Sequence, residues 1–121
     1  MLDFHNLVVW QRSHKLTIDI YQITQKQFPK EELFGQTSQI RRAVASIPTN
    51  IAEGCGRNTH AELTQFLNIA AGSTSEVEYE ILLAKDTNYI TDEQCNLLTK
   101  EIREIRSMIK SYMEQVRVSK I

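Results

Sequence analysis

Apolar residues recur every three or four positions along most of this chain, and no long stretch alternates with the period of a β-strand. This spacing predicts four α-helices. Helix 1 is expected over about residues 8–26. Helix 2 should run from a hydroxyl N-cap at Thr37 or Ser38 to the glycines at 54 and 56, where glycine can take a left-handed closing conformation. Helix 3 should open at Thr59 and helix 4 at Thr91. Short links between such helices are typical of an all-α, antiparallel up-down four-helix bundle, here a single domain over residues 1–121.

Helices 3 and 4 carry the strongest local signals. Thr59 with Glu62, and Thr91 with Gln94, form capping boxes, in which each side chain bonds the backbone N–H of the other residue. An apolar seam, defined here as the row of residues at alternating steps of four and three, follows each box. The two seams are Leu63, Leu67, Ala70, Thr74, Val77, Ile81 and Ala84 in helix 3, and Leu98, Ile102, Ile105, Ile109, Tyr112 and Val116 in helix 4.

Helices 1 and 4 also carry apolar residues outside their main seams. A four-helix core cannot hold all of them, so some of this surplus should be buried between subunits. The surplus residues are Val9, Trp10, Ile18, Leu97, Met108 and Met113.

The apolar spacing of helix 2 continues through Pro48 without a change of phase. Ile40, Val44, Ile47 and Ile51 share one helical face on both sides of the proline. A proline inside a helix removes a donor, leaves the carbonyl four residues earlier (here Val44) without its partner, and costs roughly 3 kcal/mol. One proline-bent helix is the simpler interpretation, and a new helix that begins at Pro48 is the alternative.

Helix 2 also carries a polar stripe of Arg42, Ser46, Asn50 and Glu53, at steps of four, four and three. The stripe is either a recognition surface or a structural feature that satisfies the stranded carbonyl and sets the register of a neighbouring helix. The structural interpretation is favoured.

Small residues mark two further places. Gly54 belongs to the group that ends helix 2. Gly72 and Ser73 in the middle of helix 3 are expected to face helix 2, because a mid-helix glycine costs up to about 1 kcal/mol relative to alanine and requires a packing reason.

The net charge of −1 excludes a global field that attracts polyanions, but the charge is unevenly distributed. Residues 58–99 carry seven acidic residues and one basic residue, whereas residues 100–121 carry six basic and three acidic residues. The last helix is therefore the basic end of the chain.

That helix presents a basic stripe of Arg103, Arg106, Lys110 and Arg117 beside its apolar seam. Like charges one turn apart repel by a few tenths of a kcal/mol, so groups outside the helix should compensate. If helices 3 and 4 fold back on each other about residue 89, Glu76 faces Arg103 and Glu62 faces Arg117.

The same folding leaves Arg106 and Lys110 facing no acid. These two residues, with Arg41 from helix 2, are therefore the predicted contacts for RNA phosphates, supported by Arg103 and Arg117. The alternative is an ordinary solvated charged face, or ion pairs between subunits.

No residue pattern points to catalysis. None of His5, His14 and His60 has a glutamate three residues earlier, as a di-iron bundle would require, and Gly54-x-Gly56 lacks the lysine of a phosphate loop. The sequence neither places His60 against Cys55 nor excludes that pairing. The expectation is a protein that is not an enzyme, with no catalytic residue, metal, cofactor or small-molecule substrate.

Cysteine usage and hydropathy bear on the compartment. Cys55 and Cys95 have no metal-type spacing and do not suggest a disulfide scaffold. No secretory signal is evident, and no apolar run approaches the roughly 20 residues that cross a bilayer. The expectation is a cytoplasmic protein without a membrane partner.

Several sequence blocks together carry a family resemblance. They are Phe28-Pro29, Ser38 to Ala43, Ser46 to Gly54 (SIPTNIAEG), Arg57, Phe66-Leu67 and Ala71 to Ser73. With them the chain resembles the bacterial four-helix-bundle proteins encoded by intervening sequences in 23S ribosomal RNA genes, a family that is similar in turn to the accessory proteins of diversity-generating retroelements. Gln36 and Thr74 stand where a leucine is usual, and Cys55 where an aromatic residue is common, which affects local packing.

The resemblance implies a homopentamer of bundles, no established enzymatic activity, and a role in binding RNA or a ribonucleoprotein partner. Combined with the basic stripe, it predicts a non-enzymatic, oligomeric binding or scaffold protein that contacts RNA through its last helix. The alternative is a protein–protein interaction module that does not bind nucleic acid.

Overall fold

The computed structural model describes residues 2–119, and all of their regular structure is helical. The long helices are α1 (Val8–Gln27), α2 (Gln36–Cys55), α3 (His60–Asp86) and α4 (Asp92–Ser119). Single 3-10 turns at Phe4–Asn6 and Lys30–Glu32 precede α1 and α2. Each long helix packs against its neighbours in the chain, and α1 also packs against α4. The predicted all-α four-helix fold is confirmed.

The core lies along the two predicted seams. All seven seam residues of α3 are buried, and Ile102, Ile105 and Ile109 of α4 are fully enclosed. The start of α3 lies beside the end of α4, where Ser119 Oγ and His60 Nδ1 are 3.2 Å apart.

The apolar surplus divides into two groups. Val9 is buried in the core of its own chain, so the prediction that it is surplus is wrong. Trp10, Met108 and Met113 are partly buried against the same core. Ile18 and Leu97 remain 44% and 64% exposed.

The helix starts agree with the sequence in α3 and α4 but not in α2. Thr91 and Gln94 cap each other at 2.9 and 3.0 Å, so the predicted capping box of α4 is complete. At α3, Thr59 Oγ1 accepts from the Glu62 N–H at 3.1 Å, but the return bond from the Glu62 side chain to the Thr59 N–H is not formed among residues 2–119, so this box is only half made. At α2 the N-cap position is Gly35, and a Glu32 carboxylate oxygen accepts from the N–H of residue 36 at 3.0 Å. The predicted hydroxyl cap at Thr37 or Ser38 is wrong, because an acid in the preceding turn already occupies the end of the helix.

The end of α2 also differs from expectation. Gly56 has φ −85°, an ordinary right-handed value, and its N–H donates to the carbonyls of Ala52 and Glu53. Among residues 2–119 the positive φ outside glycine is at Asn88, in the turn between α3 and α4. The left-handed closure of α2 is therefore not formed.

Helix α2 is continuous through Pro48, so the alternative of a new helix at this residue is wrong. The Val44 carbonyl that the proline leaves without its usual donor receives a contact from a different helix. The single hydroxyl hydrogen of Thr17 in α1 is shared between two carbonyls, with Oγ1 2.8 Å from Ser13 O of its own helix and 3.3 Å from Val44 O. The expectation that the polar stripe of α2 satisfies this carbonyl is thus corrected, because the donor comes from across the α1–α2 contact.

The close approach of α2 and α3 lies at Gly54, and not at Gly72 as predicted. A Cβ added to Gly54 would lie 3.0 Å from Leu63 Cδ1 and 3.1 Å from Phe66 Cβ, so α2 and α3 approach closely there. A Cβ added to Gly72 would meet no atom within 4 Å. The prediction that Gly72 faces α2 is wrong, whereas its neighbour Ser73 does contact Ser46 of α2, at 2.7 Å between the hydroxyl oxygens.

One acid is buried on α3. Glu80 is 8% exposed, and burial, followed by the charge of Glu76, raises its pKa. A raised pKa in the folded state means that the ionised carboxylate opposes folding above that pKa, and that the opposition disappears as the pH falls below the pKa of the unfolded chain.

Replacing Glu80 by glutamine is therefore expected to raise the free energy of unfolding at about pH 7 and to have little effect at about pH 3, where both states carry a neutral side chain. Urea unfolding at the two pH values measures this. Glu31→Gln, at an exposed position, is the control. Equal effects of Glu80→Gln at both pH values would contradict the assignment.

Candidate nucleic-acid interface

The basic stripe of α4 is anchored to α3 by one carboxylate. Arg103 Nε and Nη2 lie 2.9 and 2.8 Å from Glu78 Oε2, and Arg106 Nη1 and Nη2 lie 2.9 and 2.6 Å from Glu78 Oε1. Glu78 therefore holds two guanidinium groups. The side chain of Arg106 is 22% exposed and that of Arg103 is 64% exposed, so only Arg103 presents most of its surface to solvent.

Two predicted pairings are corrected by this arrangement. Arg106 has an acid partner, contrary to the prediction that it faces none. Arg103 pairs with Glu78 rather than Glu76, because Glu78 lies on the partly buried side of α3 towards α4 whereas Glu76 is exposed. Sequence spacing gave the right faces of the hairpin but an error of two residues in the partner.

The remaining cations of the stripe are exposed. Lys110 is exposed, and within residues 2–119 no carboxylate lies within 4.0 Å of its amine. Arg117 pairs with Glu114 of its own helix at 3.6 Å, with both side chains more than half exposed, so the predicted pairing with Glu62 is wrong. An exposed pair of this kind contributes little to stability and leaves the guanidinium accessible.

Arg41 lies on a different side of the bundle. Its Nε donates to Thr24 Oγ1 at 2.8 Å, Nη2 donates to the Tyr21 carbonyl at 3.3 Å, and the guanidinium lies 4.6 Å from the centre of the Tyr21 ring. These contacts hold Arg41 against α1, whereas Arg103 and Arg106 are held against α3. The structure does not bring Arg41 into one patch with the basic stripe.

The polar stripe of α2 is structural in its middle and exposed at its ends. The Asn50 amide donates to the carbonyl and hydroxyl oxygens of Ser46 at 2.8 and 3.0 Å, and Ser46 in turn contacts α3. Glu53 pairs with Arg57 at 3.0 Å, and Arg42 is exposed. The centre of the stripe therefore links α2 to α3 through the hydroxyl groups of Ser46 and Ser73.

Sequence reasoning missed Glu78 and Thr17. Glu78 is one of several acids on α3, and nothing in its local pattern distinguishes it. Thr17 is a β-branched polar residue on the apolar side of helix 1, and that placement was a usable signal, because a buried hydroxyl requires a partner.

Thiol and metal chemistry have no support in the geometry. Cys55 is buried, and burial, followed by the charge of Asp3, raises the pKa of its thiol, which disfavours the reactive thiolate. His60 contacts Ser119. Across the described part of the chain, no three side chains of His, Cys, Asp or Glu come together as a metal site.

Within residues 2–119, none of the helices combines the length and the apolar composition of a membrane-spanning segment.

The model of the family described as 23S rRNA-intervening sequence protein matches residues 5–111. The chain belongs to this family. The match includes Arg103, Arg106 and Lys110, and Arg117 lies beyond it.

A solved structure supports the family assignment. The fold of this 23S rRNA-intervening sequence protein family member is similar to the 1.70 Å crystal structure of a protein of unknown function from the S23 ribosomal protein family of Bacteroides thetaiotaomicron VPI-5482. The TM-score is 0.78 and the identity 29%, over 88% of this chain and 98% of that chain. Among curated proteins, none matches this chain. The resemblance inferred from the sequence is thus confirmed at the level of family and fold.

Proposed function

We propose that this protein is a non-enzymatic, oligomeric binding protein that contacts structured RNA through the cationic face of α4, formed by Arg103, Arg106, Lys110 and Arg117. The observation that carries the proposal is the arrangement around Glu78. Two guanidinium groups share one carboxylate, so these three side chains together keep a net positive charge. Lys110, which has no carboxylate partner within residues 2–119, lies one turn beyond Arg106.

Phosphate is a suitable ligand for such a face. Arginine binds phosphate oxygens in the same forked geometry as it binds a carboxylate. An RNA phosphate therefore replaces some of the hydrogen bonds that the guanidinium groups make to Glu78. Contacts of this kind release counterions and depend steeply on salt.

Assembly would multiply a weak contact. Large apolar side chains remain exposed on the outer faces of α1, α3 and α4, which favours contact with further copies of the chain. They include Ile18, Ile69, Tyr79, Leu82 and Leu97. The proposed assembly is the homopentamer that the family resemblance implies, in which repeated α4 faces raise avidity without new chemistry.

Glu78→Gln is expected to tighten binding to structured RNA and to steepen the dependence of log K on log salt by about one unit, because it frees two guanidinium groups from their acid. A mobility-shift titration across salt concentrations measures both effects. Glu76→Gln makes the same charge change at an exposed neighbouring position and should change binding less.

Lys110→Ala should have the opposite effect, with a slope about one unit shallower, and Lys26→Ala on α1 is its charge-matched control. If each variant behaves like its control, the α4 face does not contact RNA. Light scattering on the same samples gives the oligomer mass, and a strict monomer would remove the avidity argument.

A further inference from the structure

The surface between α1 and α2 contains a hollow of about 670 Å³, open to solvent and separate from the α4 face. It lies over Pro48, near the start of α1 and the end of α2. The residues that line it come from the 3-10 turn before α1, from α1 itself, and from α2 and the residues just after it. None of the contacts described above for the α4 face involves this hollow.

One wall of the hollow is aromatic. The ring of Trp10 lies parallel to that of His14, with the centroids 5.0 Å apart and the planes within 7°. Phe4 packs against the same indole at 4.8 Å, and His5 meets it edge-on at 5.4 Å. Phe4, Trp10 and His14 line the hollow directly. Such a wall suits a planar ligand that stacks.

The opposite wall is made of small residues. Ala45, Pro48, Ala52 and Gly56 of the α2 side line the hollow. Their short side chains are the reason that space remains between the two helices, and that space is bounded on the other side by rings. A flat group fits this shape better than a branched one.

Polar groups lie at one end of the hollow. One carboxylate oxygen of Glu53, Oε2, accepts from Arg57 Nη2 at 3.0 Å. The other oxygen, Oε1, has no hydrogen-bond partner among residues 2–119. The exposed hydroxyl of Thr49 lies in the same lining. The free carboxylate oxygen offers an acceptor to the edge of a base, while the Arg57 guanidinium is held between Glu53 and the Phe66 ring, 4.7 Å from the ring centre.

We infer that this hollow binds a guanine base. The base stacks on the aromatic wall, and its adjacent N1–H and N2–H donors face the Glu53 carboxylate, which keeps its ion pair with Arg57. Adenine, cytosine and uracil do not present two adjacent donors, so the carboxylate favours guanine. The ligand is either a free guanine nucleotide or an unstacked guanine of an RNA loop, and only the second source rests on the proposed function.

The chain provides its own probe, because Trp10 is its single tryptophan. Titration with guanosine monophosphate is expected to quench the fluorescence saturably, with a dissociation constant on the order of 0.1 mM. The adenosine and cytidine monophosphates should bind about tenfold more weakly. Free tryptophan amide titrated in parallel corrects for light absorbed by the nucleotide.

Two variants separate the parts of the site. Glu53→Gln should abolish the preference for guanine while leaving weak stacking, and Glu93→Gln, an exposed acid at the start of α4, should titrate like the unaltered protein. His14→Ala should weaken the binding of all nucleotides to a similar degree without changing the order of their affinities. Circular dichroism verifies that each variant is folded.

The results distinguish a free nucleotide from an RNA base as the ligand, and they distinguish failure of this site from failure of the α4 face. Saturable quenching by the free nucleotide supports the site even if the α4 face binds no RNA, so the two proposals fail separately. Quenching by a short single-stranded RNA only when it contains guanine assigns the base to RNA. Quenching that is merely linear up to millimolar nucleotide, or a guanine preference that survives Glu53→Gln, would overturn the inference.

Discussion

Gly54→Ala is expected to lower the free energy of unfolding by about 1–2 kcal/mol. The new Cβ would lie 3.0 Å from Leu63 Cδ1, 3.1 Å from Phe66 Cβ and 3.3 Å from the Leu63 carbonyl oxygen. The last two atoms belong to the framework of α3 and cannot move without shifting that helix, and overpacking of this kind typically costs about 1–3 kcal/mol. The gain in helix propensity from alanine, up to about 1 kcal/mol, offsets part of this cost.

Gly72→Ala is the matched control, with the same chemical change on an open surface. Its Cβ meets nothing within 4 Å, so only the propensity gain remains and the protein should become more stable by about 0.5–1 kcal/mol. Urea unfolding at one fixed protein concentration measures both variants, since assembly makes apparent stability depend on concentration. Effects of the same sign would show that the α2–α3 contact at Gly54 is not as close as described.

Thr17→Val should cost about 1–2 kcal/mol, because it removes the hydroxyl that reaches the Val44 carbonyl. The cost should shrink when Pro48 is first replaced by alanine, since residue 48 then regains an N–H that can donate to Val44 within the helix. The dependence of one effect on the other is the measurable quantity, and a double-mutant cycle by urea unfolding gives it.

Thr74→Val is the control for this cycle. Thr74 is fully buried and donates to the Ala71 carbonyl of its own helix at 2.6 Å, with no proline nearby. Its replacement should cost less than that of Thr17 and should not depend on residue 48. A Thr17→Val effect of equal size in both backgrounds would contradict the role assigned to its hydroxyl.

The sequence by itself determined which helices form and which faces they bury. The seams of α3 and α4, the capping box at Thr91 and the Thr59 cap depend on residues three or four positions apart, so their geometry is local and the spacing is sufficient. The same holds for the continuity of α2, where the apolar phase on both sides of Pro48 indicated one helix.

Only the tertiary structure decided which side chains meet across helix pairs. A shift of two residues between α3 and α4 selects Glu78 instead of Glu76 as the partner of Arg103, and it also brings Arg106 to the carboxylate of Glu78. The rotation of α2 against α3 decides that Gly54, not Gly72, lies at the close approach, and Thr17 reaches Val44 because α1 packs beside the proline. Such contacts depend on translation and rotation of whole helices, set by the packing of all their core residues together, which no local pattern records.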